Sequence, residues 1–206
     1  MSKATQTDAM GSIQRGIKRT LDFVMSALGL ILLSPLFIII SVLMKFQGNG
    51  PIFFRQIRIG YKGKPFVILK FRTISKKTEK NTPQLIAKTS CKSSTPFEKF
   101  LREHHLDELP QLWNVLVGDM SLVGPRPERK YFIDKIMEHT DLYTVIYNMR
   151  PGLTSEATLY NGYTDTMEKM LKRLQMDISY FERRSLWLDF KIIIKTFVNI
   201  ISGNKF

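Results

Sequence analysis

Residues 23–44 read FVMSALGLILLSPLFIIISVLM, twenty-two positions without a charge and with Ser34-Pro35 near the middle. A straight helix over that run would be about 33 Å long, enough to cross the hydrocarbon core of a bilayer. The flanking charges argue otherwise. Arg15, Lys18 and Arg19 precede the run, while Lys45, Arg55, Arg58, Lys62 and Lys64 follow it. Lys and Arg set orientation by staying on the cytoplasmic side, so neither end is marked for translocation. Pro35 removes a backbone donor, clashes with the preceding turn and biases Ser34 away from the α region. The Ser34 hydroxyl can satisfy part of the freed backbone. The run is therefore expected to form a re-entrant helix-break-helix that enters one leaflet and returns to the same face. A kinked single-span anchor is the competing reading. A cleaved signal peptide fits less well, because the run is long and no small-x-small site follows it.

Outside this run, the 206-residue chain leaves sequence for one modest globular core. Its net charge of +13 suits anionic headgroups, phosphorylated substrates or nucleic acid. The apolar run makes lipid the most economical partner, and nothing requires nucleic acid. Cys91 is the only cysteine, which excludes an intrachain disulfide and a cysteine metal cage and permits a reducing cytoplasm.

The order along the chain predicts an α+β, mostly helical protein. Residues 1–12 are expected as a flexible N-terminus, 13–46 as the broken membrane helix, and 47–206 as one catalytic or binding domain at the cytoplasmic face. Lys18 and Arg19 are expected at the headgroups. Ile52 to Gln56 and Phe66 to Arg72 read as a hairpin around Gly60, Gly63 and Pro65. Ser75 to Ser94, rich in Lys, Thr and Ser, reads as an exposed loop. Thr95-Pro96-Phe97-Glu98 is a helix start with a capping box. A short helix over Gln111 to Leu116 precedes a loop from Gly118 to Pro127. Met167, Met170, Leu171, Leu174, Ile178 and Phe181 recur at helical spacing and mark a core helix. Ser185 to Ile201 carries Trp187, Phe190 and Phe197 among lysines, which suits either an interfacial helix or a buried one.

The adjacent carboxylates Asp107 and Glu108 are the candidate chemistry. A carboxylate near phosphate can act as nucleophile, base or magnesium ligand. The alternative is that Asp107 caps the next helix and Glu108 sits in its first turn. Lys70, Arg72, Arg102, Arg126 and Arg150 are candidate phosphate contacts, since guanidinium forks and an ammonium together suit a diphosphate. His104, His105 and His139 lack metal-ligand spacing. No P-loop, dinucleotide fingerprint or serine elbow is present in the sequence.

Several pieces taken in order resemble the bacterial sugar transferase family. They are Lys18-Arg19 through Asp22-Phe23, Ser34-Pro35, Gln56 with Arg58 and Gly60, and Lys70-Phe71-Arg72-Thr73. Leu106 to Leu116 (LDELPQLWNVL), Gly118 to Pro127 (GDMSLVGPRP), Arg150 to Thr154 (RPGLT), Asp177 with Tyr180, and Ser185 to Ile192 complete the series. The likeness covers nearly the whole chain, from about Lys18 to Thr196.

The resemblance implies a monotopic phosphoglycosyl transferase that passes a sugar phosphate from a UDP-sugar to polyprenyl phosphate, with the apolar helix re-entrant at Ser34-Pro35. It implies Asp107 as covalent nucleophile and Glu108 as ligand of Mg²⁺. Lys70, Arg102 and Arg126 would line the phosphate site, with Asp177 and Asp189 in support. It places the enzyme at the bacterial inner membrane, ahead of downstream glycosyltransferases and with a homodimer as one assembly to test. One departure stands out. The family often continues after Thr154 with Gly-Trp-Ala-Gln and later Asn-Gly-Arg, where this chain has Ser155-Glu156-Ala157-Thr158 and Asn161-Gly162-Tyr163. Sugar preference therefore does not transfer from other members. A membrane-bound phosphodiesterase and a non-enzymatic basic membrane scaffold are the competing functions.

Overall fold

The computed structural model describes residues 7–47, 50–73, 95–161, 164 and 166–202. The Ser75 to Ser94 loop, Cys91, Gly162 and Tyr163 lie outside them.

The apolar run folds as two helices, α1 (Ser12–Leu32) and α2 (Ser34–Phe46), meeting at 57°. No single helix among the described residues is long and apolar enough to cross a membrane. The bend follows from residue chemistry. Pro35 cannot donate to the carbonyl of Ile31, and the Ser34 hydroxyl donates to that carbonyl instead at 2.7 Å. Leu33, at φ −87° and ψ 0°, leaves the helical region between the two.

Both arms return to one domain. On α1, Lys18, Arg19 and Asp22 point into protein. Lys18 donates to the Val123 carbonyl at 2.9 Å and to Asp189 at 2.6 Å. Arg19 donates to the carbonyls of Val115 and Leu116 at 2.7 and 2.8 Å, which neutralises the C-terminal end of the helix Gln111–Val117. Asp22 accepts from the Leu122 N–H at 3.0 Å. Lys18 and Arg19 thus bolt the helix to the domain, a correction to their expected place at the headgroups. On α2, Ile40 and Met44 close a cluster with Phe71 and Leu101. Phe37, Phe71 and Phe53 form a chain of aromatic contacts with centroids 5.6 and 5.4 Å apart.

The hairpin pairs β1 (Phe53–Ile59) with β2 (Pro65–Phe71) in antiparallel register. Its turn residue Lys62 has φ 57°, and Gly63 beside it has φ 69°. The far edge of β2 is covered by a side chain. Asn114, on α4 (Gln111–Val117), donates to the Val67 carbonyl at 2.8 Å and accepts from the Leu69 N–H at 3.0 Å. One amide stands in for a neighbouring strand and fixes β2, with Lys70 on it, against α4.

Helix α3 (Pro96–Glu103) begins with the expected capping box between Thr95 and Glu98. The loop from Gly118 to Pro127 contains a short strand, β3 (Ser121–Val123), which pairs in parallel with β4 (Gly152–Thr154). Around this pair α5 (Lys130–Met137), α6 (Tyr143–Ile146), α7 (Glu156–Asn161) and α8 (Met167–Arg183) form the main core, centred on Val123, Ile133, Met149, Met170 and Leu174. The described part of the N-terminal segment makes contacts with the domain. Met10 is buried, and Asp8 accepts from both Arg184 and Arg15.

Helix α9 (Leu186–Ile201) is capped by Ser185, whose hydroxyl accepts from the Leu188 N–H at 3.2 Å. It buries Ile192 and Asp189 but leaves Trp187 63% and Phe197 62% exposed, with Phe190 and Ile194 also outside. Of its two readings, the structure takes the one with an open apolar face. The same is true of the bend, where Ile31 and Leu32 are 68% and 75% exposed.

Candidate active site

Asp107 and Glu108 occupy a single 3₁₀ turn, Leu106–Glu108, between α3 and α4. The chain reverses at His105, which takes the left-handed conformation at φ 54°, a strained choice for a residue with a Cβ. The N–H groups of Glu108 and Leu109 bond back to the carbonyls of His105 and Leu106 at 3.2 and 3.4 Å. Helix α4 starts after Pro110, with no side-chain cap. The capping alternative for Asp107 therefore fails, and both carboxylates are available for other work.

Glu108 is bonded to Lys70 and lies 3.7 Å from Arg126. Burial disfavours its charge, but the two cations outweigh burial and hold its carboxyl down at about 2. Asp107, 8% exposed, is driven the other way. Burial and then the Glu108 charge push it up to about 7, against the pull of Lys70 and Arg126. One carboxylate is kept ionised in a cationic pair, and its neighbour ionises near neutrality. Splitting a pair in this way assigns distinct roles to two like groups.

Among the described residues, no three His, Asp or Glu side chains converge to hold a metal. The donors present are hard carboxylate oxygens. That fits Mg²⁺, which keeps several waters and is commonly held by one or two carboxylates plus substrate phosphates. Glu108, with Asp107 beside it, would hold such an ion.

The other predicted residues divide by location. Lys70 and Arg126 meet at Glu108. Arg102 stands in the last turn of α3, just ahead of the dyad. Arg72 is buried beside Gly50, where a Cβ would come within 2.7 Å of its Nη1. Arg150 donates to the Gly118 carbonyl at 3.0 Å and lies 5.0 Å over the ring of Tyr61. Asp189 is tied to Lys18 and Tyr180, so it joins α9 to α1. Asp177 is buried under Arg126 with Glu128 and Arg173, and burial raises it to about 7 despite Arg173. Ser34 and Pro35 form the bend.

Three supporting residues, Asn114, Glu128 and Arg173, are not marked by the sequence as part of the site. Asn114 holds the strand that carries Lys70. Glu128 lies 3.6 Å from Arg58 and 3.6 Å from Arg173. Arg173 gives no such signal because its position in α8 reads as the charged face of a core helix. Glu128 directly follows the Gly-Pro-Arg-Pro stretch, and that adjacency was the available signal.

Residues 13–203 match the family described as bacterial sugar transferase. The chain is 40% identical over 190 residues to a Klebsiella pneumoniae protein named UDP-glucose:undecaprenyl-phosphate glucose-1-phosphate transferase, covering 91% of this chain and 40% of that protein. It is 36% identical over 187 residues to an Aeromonas hydrophila UDP-N-acetylgalactosamine-undecaprenyl-phosphate N-acetylgalactosaminephosphotransferase, covering 91% of this chain and 44% of that protein. A Caulobacter vibrioides protein named as a glucose-1-phosphate transferase of the same kind is 40% identical over 188 residues, covering 90% of this chain and 70% of that protein. The chain thus spans less than half the length of the first two relatives.

Proposed function

The chain belongs to the bacterial sugar transferase family, and from that premise we propose that it transfers a sugar 1-phosphate from a UDP-sugar to undecaprenyl phosphate, releasing UMP. The observation that carries this reading is the split dyad, in which Glu108 is locked between Lys70 and Arg126 while Asp107 is buried and uncommitted to helix capping.

The reaction runs in two displacements. An Asp107 carboxylate oxygen attacks the sugar-proximal phosphorus, the bond from that phosphorus to the bridging oxygen breaks, and UMP leaves with the electron pair. An oxygen of undecaprenyl phosphate then attacks the same phosphorus of the aspartyl-phosphosugar, the acyl phosphate bond breaks, and Asp107 returns as carboxylate. Two in-line steps replace one harder transfer. Lys70 and Arg126 are preorganised positive charge for the phosphate oxygens, and burial excludes water from the acyl phosphate. Mg²⁺, when bound at Glu108, supplies further neutralisation of the charge on the phosphates.

The same reading places the protein on the cytoplasmic leaflet of the inner membrane. Its support is the bent pair with both ends tied to one domain, and the exposed apolar faces of α1, α2 and α9. A lipid-borne phosphate and a soluble nucleotide sugar then meet at the dyad without crossing the bilayer. The lipid diphosphate sugar so formed would start a polysaccharide or glycoconjugate, to be extended by downstream glycosyltransferases. The relatives' names differ in their sugar, so the donor is left as a UDP-sugar.

The test is UMP release by the purified protein with Mg²⁺ and a panel of UDP-sugars, with and without undecaprenyl phosphate. Sustained release that depends on the lipid and yields a lipid-linked sugar is expected. Release into water without lipid would instead give the phosphodiesterase reading. The topology has its own check. With Cys91 replaced, single cysteines at Ser12 and Gln47 are both expected to react with an impermeant maleimide in inverted vesicles and neither in intact cells. Labelling from opposite sides would make the run a single-span anchor.

A further inference from the structure

The main chain on both sides of Arg126 is held in place. Arg126 lies between two prolines, whose rings fix φ. The Pro125 carbonyl accepts from the Gly152 N–H at 2.8 Å, the Pro127 carbonyl accepts from Arg58 Nη1 at 3.1 Å, and the Glu128 carbonyl accepts from the Ile59 N–H at 3.1 Å. The Glu128 side chain does something further. Its carboxylate stands between the guanidinium groups of Arg58 and Arg173, 3.6 Å from each. Both of those cations repel Arg126, and burial together with Arg126 and Arg129 works against the charge of Arg58, with Glu128 as its main support.

Three guanidinium groups, those of Arg58, Arg126 and Arg173, therefore gather near Glu128. Arg126, Glu128, Tyr143, Arg173 and Asp177 line one small cavity of about 20 Å³. The cluster is a support, and Glu128 is the anion at its centre.

We propose that Glu128 is a positioning residue for the transfer: by pairing Arg58 and Arg173 it relieves their repulsion of Arg126 and keeps the Arg126 guanidinium directed at Glu108 and the donor diphosphate. The inference rests on the proposed transferase reading. Replacing Glu128 with Gln keeps the shape and removes the charge, leaving Arg58 and Arg173 to push Arg126 off the phosphate site. A misplacement of that kind costs about 10- to 100-fold in kcat/KM for the UDP-sugar.

A double-mutant cycle separates positioning from general support. Glu128→Gln is expected to lower kcat/KM by about 10- to 100-fold alone, but by less than about 3-fold in an Arg126→Ala background. Glu128→Asp should recover part of the loss. Multiplying effects in the Arg126→Ala background, or full activity in Glu128→Gln, would overturn the proposal. Should Glu128→Gln fail to fold by circular dichroism, Arg58→Lys keeps the charge and removes the fork that reaches both Pro127 and Glu128, and the same cycle applies to it. UDP binding by calorimetry runs alongside. If the wild type turns over no donor, the transferase reading fails, and the coupling between Glu128 and Arg126 is still decided by UDP affinity.

Discussion

Asp107→Asn is expected to reduce lipid-linked product and UMP release by at least about 10⁴-fold, the scale seen when a covalent nucleophile is removed, and to abolish any phosphosugar label on the protein. The amide has nearly the shape of the carboxylate, so binding of the donor to Lys70 and Arg126 should persist while chemistry stops. Normal turnover by a pure variant would remove Asp107 as nucleophile. The wild-type rate should rise with pH and level off above about 7, since only the ionised carboxylate attacks and burial with Glu108 has raised it to about 7.

The same shift makes a stability prediction of opposite sense. The fold raises Asp107 from 3.8, so the protonated form is the one the folded state prefers. Its contribution to stability is complete below about pH 4, declines as pH rises toward 7, and is flat above that. Asp107→Asn is neutral throughout. It should match the wild type at pH 4 and be the more stable protein at pH 8. Asp177 is raised in the same direction, also to about 7, and is untouched in the variant. The decline in Tm with pH should therefore be reduced by Asp107→Asn and not erased. An inactive variant that is more thermostable at pH 8 is the signature of a functional buried charge. A cap would behave oppositely, since losing one destabilises a helix.

What could be read in the sequence was local. The Ser34-Pro35 break follows from one missing donor and one nearby hydroxyl, and the Thr95 to Glu98 capping box from a three-residue spacing. What could not be read depends on partners far along the chain. Lys18 looked like a headgroup anchor because its bond to Val123 lies 105 residues away, and Arg19 reaches Val115 across 96. Asn114 was visible only as one letter of a motif, since its role is to pair with a strand 47 residues earlier. The dyad itself was found by resemblance, because adjacency of two acids also fits a helix start. The start of α4 after Pro110, the burial of Asp107 and the cations around Glu108 separate the two readings. Strand β3 is not legible in the sequence because three residues are too few to show a period.

The largest structural effect is expected from Gly152→Ala. Gly124 and Gly152 face each other across the β3 and β4 junction, neither with a positive φ, so their glycine character is a matter of space. A Cβ on Gly152 would stand 2.1 Å from the Gly124 nitrogen and 2.5 Å from the carbonyl oxygens of Gly124 and Thr154. One on Gly124 would stand 2.3 Å from the Arg150 carbonyl oxygen. All of these are main-chain atoms, which cannot rotate aside as a side-chain tip can. Relief requires the strands to part, which breaks the bonds from Gly152 to Pro125, from Gly124 to Thr154 and from Ser121 to Pro151. Those bonds carry the loop that presents Arg126. Gly152→Ala should therefore cost at least about 4 kcal/mol, in the exceptional range for one methyl group, and yield little folded protein on detergent extraction. Gly16→Ala is the contrast, because nothing lies within 4 Å of its added Cβ and it sits inside α1. That change should be neutral or stabilising by up to about 1 kcal/mol. If Gly152→Ala melts within about 2 °C of the wild type, the close approach of these strands is not what forms the Arg126 loop.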